Sequence, residues 1–140
     1  MTQVFFYHGA SDKIAAACAL INGAWTKRKP ILVYAPEKPV ADSVDRMLWT
    51  REQLSFVPHC RADSPLAAET PILIADKLEH IAQDERLMNL SNEIPAGYKR
   101  FQSLIEVVGQ DEDERLAARE RVRVYKEQGC EVRYFDLNDR

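Results

Sequence analysis

Glycine is scarce in this chain: 5 in 140 residues, none arranged as GxGxxG or GxxxxGK[ST]. Their absence removes both glycine-rich phosphate cradles, which need backbone N–H groups brought against a phosphate with no side chain in the way. Cysteine is also sparse, with Cys18, Cys60 and Cys130 far apart and no CxxC pair. A zinc ribbon and a thioredoxin motif are therefore excluded, and reduced thiols in a cytoplasmic setting are expected. Excess positive charge is missing as well, since 19 Lys and Arg face 22 Asp and Glu, for a net charge of −3. A protein that coated duplex DNA would carry the opposite balance, because phosphate neutralisation supplies most non-specific affinity. Long apolar runs are absent too. The longest uncharged stretch, Ile14 to Thr26, contains Asn22 and Gly23 and is too short to span a bilayer. No basic segment precedes an apolar core at Met1, so neither a membrane span nor a secretory signal is expected.

What the chain does contain is alternation of strand-like and helix-like segments, in a length that suits one domain over 1–140. Val4-Phe5-Phe6-Tyr7 opens as a strand. Ser11 is placed to cap a helix in which Ile14, Ala17, Cys18, Ile21 and Trp25 recur at helical spacing until Pro30. Ile31–Ala35 and Pro71–Ala75 are apolar throughout, as strands covered on both faces are. Val40, Val44, Met47 and Leu48 form a second amphipathic helix, and Leu54–Val57 is strand-like. Residues 59–70 read as loop, 76–83 as a turn of helix, Arg86–Leu90 as a strand and Pro95–Phe101 as a short helix. Leu104–Val108 is another strand. Asp111–Gln128 is a helix with an acidic start, a basic body and Gly129 at its stop. Glu131–Phe135 closes as a strand. This pattern predicts a three-layer α/β fold, with a mostly parallel sheet and helices on both faces.

Catalytic candidates are weak. His8, His59 and His80 have no second His or Cys at helix-face spacing, and no partner to orient a base is evident in the sequence for His59-Cys60. The run Asp111-Glu112-Asp113-Glu114 suits a helix N-terminus better than a metal. No catalytic residue, metal or cofactor is expected. Two features remain. Arg115, Arg119 and Arg123, at i, i+4 and i+8, align three guanidiniums in a stripe beside the apolar strip Ala118, Val122, Tyr125. That stripe is either a solvated, salt-bridged face or a surface for carboxylates or phosphates. Trp49 at a helix end and Phe56 at a strand end are either core or the lining of a shallow apolar pocket.

Leu48-Trp49, followed by Ser55-Phe56-Val57-Pro58-His59, and the helix Ala118-Arg119-Glu120-Arg121 with Tyr125 and Gly129 together carry a resemblance. In this order, with Phe6-Tyr7 and Glu106-Val107-Val108, they make the chain resemble the chi subunit family of bacterial DNA polymerase III over almost its whole length. The resemblance implies a Rossmann-like fold and a non-catalytic adaptor associated with the clamp loader. It also implies two partners: the acidic, phenylalanine-ended C-terminal tail of single-stranded DNA-binding protein, and the psi subunit. DNA would be reached only indirectly. Arg119 and Arg123 would meet the tail's carboxylates, while Trp49, Phe56 and Val122 would flank its terminal ring. Where the family commonly shows an aromatic followed by Lys, this chain has Val122-Arg123. The alternative from a different class is a small nucleotide- or nucleic-acid-binding protein with a degenerate phosphate loop around Gly9.

Overall fold

The computed structural model describes residues 2–50, 59–64, 70–78, 81 and 83–137. The expected strand Leu54–Val57, with Phe56 in it, and His80 lie outside the described residues. The elements run β1 (Gln3–Ala10), α1 (Lys13–Thr26), β2 (Ile31–Tyr34), α2 (Lys38–Thr50), β3 (His59–Arg61), β4 (Ile72–Ala75) and β5 (Arg86–Asn89). They continue as β6 (Ser103–Gly109), α3 (Glu112–Glu127) and β7 (Glu131–Asp136), with a 3-10 turn at Tyr98–Arg100 before β6. The seven strands form one sheet in the order β3-β4-β2-β5-β6-β1-β7, and every neighbouring pair is parallel.

β2 and β4 are buried at every position, which explains why their sequences lack polar alternation. One face of the sheet is covered by α1 and α2. Ala17, Cys18 and Ile21 of α1 and Ala41, Val44 and Leu48 of α2 pack there on Ile31, Val33, Ile72 and Ile74. The other face carries α3. Tyr125 meets Leu104, Tyr98 and Phe101, while Ala118 and Val122 meet Phe6 and Val108. The expected three-layer arrangement is present.

Four local expectations are corrected. Asp12, not Ser11, caps α1, its carboxylate accepting the Ala15 N–H at 3.1 Å. His59–Arg61 is a strand rather than loop. Its polar side chains are held by α2, with His59 Nε2 2.9 Å from Asp45 Oδ1 and Arg61 donating to Asp42 at 2.7 Å. An edge strand paired on one side only needs no apolar sequence to form. No helix occupies the described part of 76–83, where Leu78 enters the core instead. The segment 95–101 keeps only its 3-10 turn.

Candidate functional site

α3 has an inner and an outer side of different chemistry. The inner side holds the apolar strip and, among it, Arg121, which is only 4% exposed. Arg121 donates from Nε and Nη2 to the two carboxylate oxygens of fully buried Glu106, at 3.1 and 3.0 Å. The Tyr125 hydroxyl donates to the same carboxylate at 2.5 Å, and the Asn89 amide donates to it at 3.0 Å. Burial works against the Arg121 charge, but Glu106 more than restores it and holds the guanidinium above its ordinary value. Burial beside Glu106 also pushes the Tyr125 phenol well up, keeping it a donor. Among the described residues, Arg121 Nη1 is the one buried side-chain donor without a protein partner.

The outer side presents the arginine stripe. Arg115 lies 3.6 Å from Glu112. Arg123 donates from Nε to both carboxylate oxygens of Glu120 at 3.1 Å and from Nη1 to Glu127. Arg119 is exposed and makes no ion pair with any described residue. Arg119, Val122 and Lys126, at i, i+3 and i+7, share the flank of α3 that leans toward β7. Val122, 8% exposed, closes the base of that flank against Phe6 and the edge of Val132. Tyr134 projects from β7 on the same face, 51% exposed, its ring edge-on to Phe6 at 5.8 Å and 5.3 Å from the Lys126 ammonium. The flank therefore joins two cations to an apolar floor with an exposed aromatic wall.

The structure brings together Arg119, Arg123 and Val122 of the expected pocket. Trp49 is elsewhere. It ends α2, on the opposite face of the sheet, where it is 58% exposed and its ring lies 5.0 Å from that of His59 on edge strand β3. Four strand intervals separate β3 from β6 under α3, about 19 Å at the usual spacing. Trp49 and the arginines thus do not line one pocket, and Phe56 lies outside the described residues. Tyr134 and Lys126 are neighbours that the expected pocket did not include. Two signals pointed to them: Lys126 follows Val122 by one turn, and Tyr134 alternates with Val132 on the last strand.

The phosphate loop of the alternative reading would lie around Gly9, between β1 and α1. β1 and β6 are adjacent, and their connections leave on opposite faces, the topological position where α/β sheets take ligands. There the Glu114 carboxylate accepts the Gly109 N–H at 2.9 Å and pairs with Lys13 at 3.1 Å. The Glu114 side chain thus ties the end of β6 to the first turns of α3 and α1. Gly9, with φ of 76°, serves a register irregularity near the end of β1, and its carbonyl accepts the Gln110 amide at 3.1 Å. Among the described residues no helix is long and apolar enough to cross a membrane, and no cluster of three His, Cys, Asp or Glu could hold a metal ion.

A family model described as "DNA polymerase III chi subunit, HolC" matches residues 1–133. The chain belongs to the chi subunit family of DNA polymerase III. Three proteins named DNA polymerase III subunit chi are similar to it. That of Pseudomonas aeruginosa is 29% identical over 133 residues, covering 92% of this chain and 92% of the relative. That of Haemophilus influenzae is 31% identical over 114 residues, 81% of this chain and 79% of the relative. That of Escherichia coli is 25% identical over 131 residues, 93% and 86% respectively. Membership in the chi family makes this chain an accessory subunit type of a replicative polymerase. The family match includes all of α3, so the arginine stripe lies within the shared region.

Proposed function

We propose that the chain is a non-catalytic adaptor that takes the acidic, phenylalanine-ended tail of single-stranded DNA-binding protein on the α3–β7 flank and links it to the polymerase and its clamp loader. The observation that carries this reading is Arg119, an exposed guanidinium without an ion-pair partner among the described residues, beside the floor formed by Val122 and Phe6. A peptide rich in carboxylates and ending in an apolar ring needs a basic rim beside an apolar surface. Arg119, Arg123 and Lys126 supply the rim, and Val122, Phe6 and Tyr134 supply the surface. The net charge of −3 suits a protein that reaches DNA through another protein.

An adaptor also needs a second, independent surface. Trp49, exposed on the opposite face of the sheet, marks where a further partner such as a psi subunit would dock without competing for α3. In this reading Trp49 belongs to the assembly side rather than to the tail pocket.

The test is calorimetric titration with a synthetic acidic peptide ending in Phe, at two salt concentrations. Micromolar binding that weakens with salt and needs the terminal ring is expected. Arg119→Ala with Arg123→Ala should abolish it while the circular dichroism spectrum stays unchanged. A double variant that binds normally would place the tail on another surface.

A further inference from the structure

The three arginines of the stripe are not equivalent. Arg119 has no ion pair among the described residues, whereas Arg123 is gripped by glutamates one turn before and one turn after it. Glu120 holds the Nε side through both of its oxygens, and Glu127 takes Nη1 from the other side. All three side chains are more than half exposed, so the grip is made in water and is reversible. Resting on the reading of α3 as the surface for an acidic tail, we propose that Glu120 and Glu127 are built-in competitors for Arg123, setting the affinity and salt response of the site for its peptide.

The physical basis is exchange of one carboxylate for another. A peptide carboxylate that reaches Arg123 has to displace Glu120 or Glu127, so part of the new attraction only replaces an old one. Two fixed negative charges beside the arginine also repel the incoming peptide. Exposed pairs of this kind are individually weak, which makes displacement feasible and the competition graded. Salt screens the internal grip and the peptide attraction alike, so affinity falls less steeply with salt than for a bare arginine pair. Arg119 has no such competitor and anchors the peptide first. The adaptor is thereby held at moderate affinity, as suits a contact that must be made and released repeatedly.

The experiment titrates the full chain with the synthetic acidic, Phe-ended peptide, comparing the parent with the double variant Glu120→Gln, Glu127→Gln at two salt concentrations. Gln keeps the size and helix preference of Glu, and circular dichroism verifies the fold. The double variant should bind about three- to tenfold more tightly at low salt, with a steeper loss on adding salt. Arg123→Ala should cost little in the parent and much more in the Gln double variant, which separates release of Arg123 from a general change of charge. Glu112→Gln with Asp113→Asn, the same loss of two negative charges at the start of α3 near Arg115, serves as the control and should shift affinity less than twofold. If the parent binds but the double variant binds equally or more weakly, the glutamates position Arg123 and the competition is refuted. If neither protein binds at any salt, the tail-binding reading of α3 falls, and this proposal with it.

Discussion

Arg121 and Arg123 stand two residues apart on one helix and have opposite fates. Arg121 is sealed against Glu106 under the apolar strip, while Arg123 lies in water between two glutamates. The chemistry of the side chain is the same and the dielectric surroundings differ. In the interior, a guanidinium and a carboxylate must satisfy each other almost completely, so the pair becomes part of the fold. At the surface the same pairing is worth ~1 kcal/mol or less and can be exchanged for a partner's carboxylate. One helix thus separates a structural arginine from a solvent-facing one by a rotation of about 200°, two residues at 3.6 per turn.

The sharpest way to break this comparison is to remove one member of the inner pair. Glu106→Ala leaves the Arg121 charge uncompensated among apolar residues, and a loss of about 3–5 kcal/mol is expected in urea unfolding. Replacing both partners with apolar residues of similar volume, Glu106→Leu with Arg121→Met, should recover most of that loss. A double replacement as unstable as Glu106→Ala would show that the hydroxyl of Tyr125 and the amide of Asn89 depend on the carboxylate more than Arg121 does. On the outer side, Arg119→Ala with Arg123→Ala should change stability by no more than about 0.5 kcal/mol while removing tail binding. The two substitutions together define which side serves which purpose.

The inner pair shows where the sequence could and could not be read. Apolar runs such as Ile31–Tyr34 and Ile72–Ala75, and the spacing of Ala118, Val122 and Tyr125, announced the layers, because burial fixes pattern. Arg121 falls between Ala118 and Tyr125 on that same strip, and Glu106 sits mid-strand between Ile105 and Val107. Each looks like a lone charge in its own segment. Only the packing of α3 across β6 makes them partners, a contact between residues 15 apart that no local pattern encodes. Trp49 presents the reverse difficulty. Its apolar neighbour Leu48 faces the core, and a single step of 100° carries the indole outward.

Tyr134 sharpens the comparison on the outer side by separating charge from ring contact. Tyr134→Ala should weaken binding of the Phe-ended peptide by about two- to tenfold, the range for an aromatic pair beyond burial. The same peptide ending in Ala should bind parent and variant alike. Equal losses for both peptides would assign Tyr134 to Lys126 and the helix rather than to the terminal ring.

Alkaline pH should act on the buried phenols. The Tyr98 phenol, behind α3, is pushed up to about 12 by burial and by the neighbouring Cys130, and Tyr34 is raised to about 12 by burial and the Glu93 carboxylate. A folded-state value above the unfolded one means that the stabilisation is complete below the ordinary value near 10. It is then lost as pH rises from there toward 12. Thermal unfolding should therefore fall through that window, and Tyr98→Phe with Tyr34→Phe should flatten the fall. The outer arginines keep their charge throughout, and an undiminished fall in the Phe double variant would assign the transition to other groups.

The smallest expected effect carries the comparison to the whole molecule. Trp49→Ala should leave the Kd for the tail peptide within about twofold of the parent, because the indole lies across the sheet from α3 and beside the other edge. Stability should fall only modestly, since the ring is more than half exposed, and the His59 ring is its neighbour among the described residues. Calorimetry on a folded Trp49→Ala protein decides the point. A large loss of peptide affinity would mean that the tail reaches the α2 face and that the two surfaces are one. An unchanged Kd leaves Trp49 to a second partner, and the sheet then serves as the spacer that lets two proteins be held at once.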